Sequence, residues 1–167
     1  TLCGKKVLIF GGGGAGQTVR AAARDMSAYE VVVVTRDGED NYDNLQRHYD
    51  AQVIVNATPV GMFPHNGERL IDLACFTGCE SVIDLVCNPA VTPLLFDARR
   101  LGIPCTNGLP MLAAQSARSI ELFTGSLLPK EKITAAVQTF ERRQRNLCLI
   151  GMPGCGKSHC AAALGRL

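Results

Sequence analysis

The segment from residue 11 to residue 16 has the residue types and the spacing of a phosphate-binding loop. Gly11, Gly13 and Gly16 match G-x-G-x-x-G, directly after an apolar run and directly before a helix-like run. Such a loop needs glycine because its turn visits positive φ, its backbone approaches a pyrophosphate closely, and a Cβ would separate helix from strand. The amides and the dipole at the helix N-terminus then bind the anion. The pattern predicts dinucleotide binding; the alternative is a tight structural turn in an unrelated α/β domain.

A second glycine-rich segment, near the end of the sequence, predicts a different phosphate site. Residues 151–158 match G-x-x-x-x-G-K-[ST], with Gly151, Gly156, Lys157 and Ser158 at the fixed positions. In an intact P-loop the backbone amides hold phosphates, the lysine reaches the β- and γ-phosphates, and the serine hydroxyl binds Mg²⁺. The residues after Ser158 are too few for a metal-binding acid, a substrate pocket or a lid. We therefore expect ATP and Mg²⁺ to bind only in an intact kinase domain, and this loop to be inactive.

The residues after the second predicted strand should choose between NAD and NADP. Arg36 could pair with a 2′-phosphate through its guanidinium, whereas Asp37 could accept hydrogen bonds from the ribose hydroxyls. Glu39 and Asp40 follow and would repel a 2′-phosphate. The position of Arg36 favours NADP, with NAD and a merely solvated charged loop as the alternatives.

Apolar runs alternate with helix-like runs around these loops. Strands are predicted at residues 6–10, 31–34, 52–56, 81–86, 103–106 and 147–150, and helices at 18–26, 41–49, 93–101, 110–123, 130–144 and 159–164. A loop rich in proline and glycine covers residues 58–67. Because residues 31–34 are apolar at every position, that strand should be buried on both faces. The alternation predicts an α/β fold with a doubly wound parallel sheet.

The length and composition indicate one globular domain plus a fragment. The 167 residues are 47% hydrophobic and 19% charged, which excludes a disordered chain and a coiled coil. The net charge of +2 comes from scattered side chains, so nothing favours nucleic acid or a membrane surface as a partner. The sequence has no membrane-length apolar run and no signal-peptide pattern. We expect a cytoplasmic protein that binds a small molecule.

The cysteines and histidines predict neither disulfides nor a metal site. The eight cysteines form no paired CxxC pattern, and several lie in apolar runs, so we expect reduced thiols. The three histidines each lack a second ligand at metal spacing.

Four further segments, taken in order, resemble the nucleotide-binding half of shikimate dehydrogenase. They are residues 56–62 (NATPVGM), 82–89 (VIDLVCNP), 92–95 (TPLL) and 107–115 (NGLPMLAAQ). The resemblance implies a Rossmann-like NAD(P)-binding domain of an enzyme that reduces 3-dehydroshikimate to shikimate in aromatic amino-acid biosynthesis. In that family a separate N-terminal domain holds most of the substrate and carries a catalytic Lys/Asp pair.

The resemblance also implies a role for each matching residue. Arg36 would meet the 2′-phosphate and Gln115 would reach the hydroxyls of the substrate. The remaining cofactor contacts implied are those of the phosphate loop and its neighbour strand (Gly11, Gly13, Gly14, Ala15, Gly16, Thr35), of the ribose and nicotinamide (Asn56, Thr58, Met62), and of the nicotinamide flank (Gly108, Met111).

Helix periodicity agrees with part of this assignment. Met111 and Gln115 are four residues apart, so both can face one cleft. The opposite face should pack on the sheet through Leu112, Ser116, Ile120 and Phe123. Without the resemblance, Met111 would be assigned to the core and Gln115 to the surface.

The sequence also departs from the pattern of the family. Cys87 stands where the family usually has a tyrosine, and acids replace a second basic residue after Arg36. The Lys/Asp pair has no match, so we expect the chain to bind cofactor and not to turn over alone. Alternatives are a quinate/shikimate dehydrogenase that prefers NAD and a non-catalytic nucleotide-binding regulatory module.

The predicted organisation has three parts. Residues 1–128 form the Rossmann domain, residues 129–145 a helical linker, and residues 146–167 the start of a P-loop domain. The last part resembles the beginning of shikimate kinase, so the chain is predicted to be a fragment of a bifunctional fusion. A free P-loop phosphotransferase is the least favoured interpretation, because the sequence lacks a metal-binding acidic residue and a substrate pocket after the loop.

Overall fold

The computed structural model describes residues 1–143 and 148–165 as five strands, five α-helices and two 3₁₀ segments. The strands are β1 (Lys6–Phe10), β2 (Glu30–Val34), β3 (Val53–Asn56), β4 (Ser81–Asp84) and β5 (Cys105–Thr106). The helices are α1 (Gly14–Asp25), α2 (Pro93–Arg100), α3 (Leu109–Thr124), α4 (Lys130–Arg143) and α5 (Lys157–Leu164). The 3₁₀ segments are Tyr42–His48 and Leu73–Cys75, and the first replaces the α-helix predicted at residues 41–49.

The five strands form one parallel sheet in the order β2-β1-β3-β4-β5. Strand β1 pairs with β2 on one side and with β3 on the other. The chain therefore passes from β1 to β2 on one side and then crosses back over β1 to β3 on the other side. In such a sheet the switch in direction opens a crevice at the carboxyl ends of the strands. The predicted doubly wound α/β fold is confirmed.

Alternate residues of each strand face two separate cores. Leu8 and Phe10 of β1 pack with the α2 residue Leu95, whereas Val7 and Ile9 pack on the opposite face with Ala23 of α1. Helices therefore cover both faces of the sheet, which explains why residues 7–10 of β1 are all apolar and why the whole strand is buried.

Strand β2 is less buried than its sequence suggests. Val32 and Val34 are buried, but Val31 and Val33 are only partly buried. The prediction of burial on both faces was wrong there because β2 is the edge strand of the sheet and has a neighbour on one side only.

Helix α3 packs against α4 and leaves most of its apolar residues outside the core. Leu112 and Ile120 are nearly half exposed, Phe123 is 90% exposed, and Ser116 is exposed as well. The prediction that these four residues pack on the sheet was wrong; Leu109 and Ala117 are the buried residues of α3. Leu112, Ser116 and Ile120 instead line an apolar cavity of about 350 Å³ between α3 and α4, together with Cys87.

The last segment of the chain follows the predicted loop and helix but not the predicted strand. Residues 148–150 form no strand and are exposed, whereas Leu147, like Gln144 at the predicted end of α4, lies outside the described residues. Helix α5 begins at Lys157 as the P-loop pattern requires. In residues 1–143 and 148–165, no helix combines the length and apolarity of a membrane span.

Candidate functional site

A pocket lies at the carboxyl end of β1, where the direction of the crossovers switches. Its volume is about 400 Å³. Three segments line it: the glycine loop (Gly11, Gly12, Gly13), the end of β2 with the loop after it (Val34, Thr35, Arg36, Tyr42), and the turn after β3 (Ala57, Thr58, Pro59, Val60). The structure thus brings together the first glycine loop, Arg36 and Thr58, as the sequence predicts.

Two glycines of this loop are fixed by close contacts within the protein. Gly11 has φ of +106°, and a Cβ there would lie 2.8 Å from the carbonyl oxygen of Ala57. A Cβ on Gly16 would lie 1.9 Å from the carbonyl oxygen of Gly11. These positions hold α1 tightly against the ends of β1 and β3. Gly13 differs, because no heavy atom of the described residues lies within 4 Å of a Cβ built there.

The N-terminus of α1 is suited to an anion. Gly13 is its N-cap, no described side chain caps the helix, and its first turn holds no acidic residue. The Gly14 and Ala15 positions of that turn are exposed. Backbone amides at an uncapped helix N-terminus bind phosphate through hydrogen bonds and through the helix dipole.

Arg36 and Tyr42 form the outer wall of the pocket. The Tyr42 ring lies 5.9 Å from the ring of Phe10, the last residue of β1, at an interplanar angle of 34°. Burial raises the pKa of the Tyr42 hydroxyl, and the charge of Arg36 acts in the opposite direction. Tyr42 was missed in the sequence because it belongs to no motif and follows a loop whose path the sequence does not show.

Asn56 lies beneath the pocket rather than on its wall. It is fully buried at the end of β3, and its Nδ2 donates to Asp84 Oδ1 at 2.9 Å and to the Val60 carbonyl at 3.3 Å. Its Oδ1 accepts from the backbone N–H of Thr58 at 2.9 Å and from the Thr58 hydroxyl at 2.7 Å. Asn56 therefore shapes the turn that carries Thr58 into the pocket, and its predicted contact with the ribose stays a prediction.

Asp84 accepts three hydrogen bonds at the buried end of β4. The donors are Asn56 Nδ2 at 2.9 Å, the backbone N–H of Val86 at 3.0 Å and the Thr92 hydroxyl at 2.6 Å. Burial raises the pKa of the Asp84 carboxyl, although the three hydrogen bonds oppose the shift. Thr92 in turn caps α2 by accepting from the N–H of Leu95. One carboxylate thus joins the turns after β3 and β4 to the start of α2.

The residues assigned to the nicotinamide and substrate lie at the exposed end of this region. Met62 and Met111 are nearly half exposed, and Gln115 is exposed on the same helix as Met111. Gly108 is buried, and a Cβ there would lie 2.0 Å from the carbonyl oxygen of Leu85. Glycine at position 108 thus lets α3 start directly against the end of β4. The described residues contain no cluster of side chains that could hold a metal ion.

The second glycine loop has its own local geometry. Gly154 and Gly156 adopt positive φ of 80° and 82°. Lys157 donates from Nζ to the carbonyls of Gly151 at 2.8 Å and Met152 at 2.6 Å, so its ammonium group folds back over the loop. Ser158 follows it in the first turn of α5.

Comparison with known proteins relates the chain to one group of enzymes. A shikimate dehydrogenase (NADP(+)) of Archaeoglobus fulgidus is 33% identical over 142 residues, which are 74% of this chain and 52% of that protein. A chorismate mutase/shikimate 5-dehydrogenase fusion protein from Clostridium acetobutylicum superposes with a TM-score of 0.82 at 29% identity, covering 87% of this chain and 57% of that one.

Two further solved structures were determined with bound cofactor. Shikimate 5-dehydrogenase from Thermus thermophilus, in complex with NADP(H) and shikimate, gives a TM-score of 0.71 at 30% identity over 87% of this chain and 57% of that one. Quinate dehydrogenase from Corynebacterium glutamicum, in complex with NAD, gives a TM-score of 0.72 at 26% identity. The match covers 85% of this chain and 56% of that one. No family model matches the sequence.

The strand order, the glycine loop and the pocket at the switch point define a Rossmann-like dinucleotide-binding fold. Within this class, the chain is homologous to the shikimate dehydrogenases, and it spans about half the length of the relatives that it matches.

Proposed function

We propose that the chain is the NADP-binding domain of a shikimate dehydrogenase, which reduces 3-dehydroshikimate to shikimate. The observation that carries this proposal is that Arg36 lines the same pocket as the glycine loop, at the switch point of the sheet. A guanidinium at this place suits a 2′-phosphate, because it can form two parallel charge-assisted hydrogen bonds. The relative from Archaeoglobus fulgidus is named as NADP-dependent.

Three parts of the pocket would bind and orient the cofactor. The amides at the start of α1 would bind the pyrophosphate, and Gly13 would allow its close approach. Thr35 and Arg36 would hold the adenosine end, and Thr58 the ribose beside the nicotinamide. The cofactor, when bound, supplies a hydride for reduction of the substrate carbonyl.

The substrate would meet this domain at α3. Met62 and Met111 would pack against the nicotinamide, and Gln115 would donate or accept hydrogen bonds with the hydroxyls of the substrate. Carbonyl reduction also needs a proton donor within hydrogen-bond reach of the carbonyl oxygen. We assign that donor to the Lys/Asp pair of the second domain in the family, so this chain binds cofactor without turnover by itself.

The domain organisation proposed from the sequence follows from this assignment. Residues 1–128 would form the cofactor domain, and residues 129–145 would link it to the P-loop segment at 146–167. Helix α4, which packs on α3, contains most of the linker.

Titration with NADP and NAD tests the cofactor assignment. We expect NADP to bind more tightly than NAD. We expect Arg36→Ala to weaken the binding of NADP and to leave the binding of NAD nearly unchanged. The matched control is Arg24→Ala, at the far end of α1. Tighter binding of NAD by the unmodified chain would contradict the proposal.

Addition of the substrate domain of a full-length relative in trans tests the reaction. NADPH oxidation with 3-dehydroshikimate should appear in the mixture and not with either component alone. Cofactor binding without any turnover in the mixture would favour a non-catalytic nucleotide-binding module, for which Cys87, in place of the tyrosine usual in the family, is the supporting observation.

An NAD-preferring quinate/shikimate dehydrogenase is the second candidate. Asp37 and Glu39 favour it, because both are exposed on the loop that carries Arg36 and could accept from ribose hydroxyls. The quinate dehydrogenase structure with NAD shows that one similar protein binds this cofactor. The NADP and NAD titration separates the two candidates.

For the C-terminal segment we propose the start of a shikimate kinase domain joined to the dehydrogenase. The support is the P-loop pattern, the positive φ of Gly154 and Gly156, and the Lys157 ammonium over the loop. ATP and Mg²⁺ would bind there only in a complete kinase domain. In hydrogen exchange with millimolar Mg-ATP we expect no protection of this chain; protection confined to residues 151–158 would contradict inactivity.

A further inference from the structure

The loop between β2 and the segment Tyr42–His48 is held by its own polar groups. The N–H of Thr35 donates to the carbonyl of Asp40 at 3.0 Å and closes the loop. Asn41 and Asn44 form a reciprocal cap, in which each side-chain oxygen accepts from a backbone N–H of the segment at 2.9 Å. Asn44 also donates from Nδ2 to the carbonyl of Glu39 at 2.8 Å. The path of this loop therefore depends on side chains rather than on regular structure.

The loop is strongly acidic although it borders the position proposed for a phosphate. Asp37, Glu39, Asp40 and Asp43 all lie within seven positions of Arg36, on its C-terminal side. A carboxylate near the 2′-phosphate would repel it, and the repulsion is stronger near a protein surface than in bulk water. Of the charged side chains on this loop, that of Arg36 lines the pocket.

Asp40 is bonded to a buried histidine instead. Its Oδ1 lies 2.9 Å from Nε2 of His48, and the two side chains are 30% and 9% exposed. Within the described part of the chain, the other ring nitrogen of His48, Nδ1, is buried without a hydrogen-bond partner. The contact with Asp40 is thus the one polar anchor found for this ring, and it joins the last part of the loop to the end of the segment Tyr42–His48.

We propose that Asp40 and His48 are positioning residues that give the pocket its preference for a 2′-phosphorylated nucleotide. The pair keeps the Asp40 carboxylate on His48 and so leaves Arg36 as the charge at the pocket. It also fixes the segment that begins at Tyr42, whose ring completes the pocket wall. This inference rests on the proposed function, because it concerns the same nucleotide site.

The preference is measured as the ratio of dissociation constants for 5′-AMP and 2′,5′-ADP, by calorimetry with the full 167-residue chain. His48→Asn removes the Nε2 position and releases Asp40, so we expect the ratio to fall about tenfold. His48→Gln keeps a donor near the Nε2 position and should retain the ratio. Asp40→Asn keeps an acceptor without the charge and should also retain it.

The combined variant shows whether the effect passes through the charge of Asp40. In His48→Asn with Asp40→Asn, the released side chain is neutral, so the ratio should return to within twofold of the original. His65→Asn, at an exposed histidine, is the matched control and should leave the ratio unchanged. If His48→Asn does not fold, Asp40→Glu gives a second break, because a longer carboxylate cannot keep the same contact while it keeps its charge. We expect it to lower the ratio in the same way.

The results separate this inference from the proposed function. The inference alone would be overturned if His48→Asn, or Asp40→Glu in its place, kept the full ratio of dissociation constants. It would also be overturned if the ratio stayed low in the combined variant. A chain that binds both probes with no preference would overturn the inference and the NADP assignment, yet not nucleotide binding. A chain that binds neither probe would overturn both.

Discussion

The side chains of Asn56 and Asp84 form a hydrogen bond of 2.9 Å between the carboxyl ends of two neighbouring strands, β3 and β4. Both residues are fully buried. Each side chain also accepts a hydrogen bond from the backbone that follows its strand: Asn56 accepts from the N–H of Thr58, and Asp84 accepts from the N–H of Val86. This one contact therefore fixes the relative positions of two turns at the edge of the sheet where the cofactor is proposed to bind.

Asp84→Asn should make the stability of the protein less dependent on pH. The native pKa of Asp84 is raised above its unfolded value by burial. Its contribution to stability is therefore fully present below the unfolded pKa and is lost as the pH rises through the native pKa. Asparagine does not titrate, so the stability of Asp84→Asn relative to the unmodified chain should increase as the pH rises through this window.

Urea denaturation of both proteins between about pH 3.5 and pH 7 measures this difference. A constant offset from altered hydrogen bonding at Thr92 is expected and does not affect the trend. The control for loss of one acidic group is Asp97→Asn. Asp97 lies on α2, and its carboxylate pairs with Arg69. A stability of Asp84→Asn that falls relative to the unmodified chain as the pH rises would show that burial does not dominate at Asp84.

Gly13→Ala should weaken nucleotide binding and cost no stability beyond that of the poorer N-cap that alanine makes. No described atom lies within 4 Å of the added methyl group, and the backbone of Gly13, at φ −71°, suits alanine. The methyl group would instead meet a pyrophosphate at the mouth of α1. We expect roughly tenfold weaker NADP binding, or about 1.4 kcal/mol, by calorimetry. Gly67→Ala, equally open but away from the pocket, should change neither quantity; equal affinity in Gly13→Ala would contradict a pyrophosphate at this loop.

Gly108→Ala should destabilise the fold itself. The new Cβ would lie 2.0 Å from the carbonyl oxygen of Leu85, and backbone cannot move aside as a flexible side chain can. We expect a loss of about 1–3 kcal/mol in the free energy of unfolding, because overpacking shifts α3 from the end of β4. In Gly78→Ala the nearest atom is 3.8 Å away, which is an ordinary contact, so its stability should hardly change. Equal stabilities in thermal and urea unfolding would refute the close packing of α3.

The pocket could be predicted from the sequence because its determinants are local. Glycines at fixed spacing between an apolar run and a helix specify the end of β1, and alternating elements specify a parallel sheet. The position of Arg36 follows, since the end of β2 lies beside the end of β1. Tyr42 and the pair of Asp40 with His48 could not be found in this way, because they depend on the path of a loop that forms a 3₁₀ segment instead of an α-helix.

Burial was harder to predict than the order of the elements. Val31 and Val33 are as apolar as the strand residues of the core, yet β2 is an edge strand, and sequence does not show which strand lies at the edge. Likewise, the spacing of the apolar residues in α3 predicts a helix, but it does not show which other element covers them. Leu112 and Ile120 face a cavity beside α4, and Phe123 faces solvent.

Glu121→Ala should loosen the connection between α3 and α4, and the effect should disappear in acid. Glu121 accepts from the backbone N–H of Leu128 at 2.9 Å and from Arg118 at 3.0 Å, and these bonds lower its pKa. Stabilisation from a lowered pKa is present above the unfolded value and is lost as the pH falls through the native value. At neutral pH we expect several-fold lower protection of the Leu128 amide in hydrogen exchange, corrected for intrinsic rates. As the pH falls below the native pKa, the unmodified chain should approach the variant. Glu131→Ala, in the first turn of α4, is the control, and a pH-independent difference at Leu128 would show that the carboxylate charge is not what holds this connection.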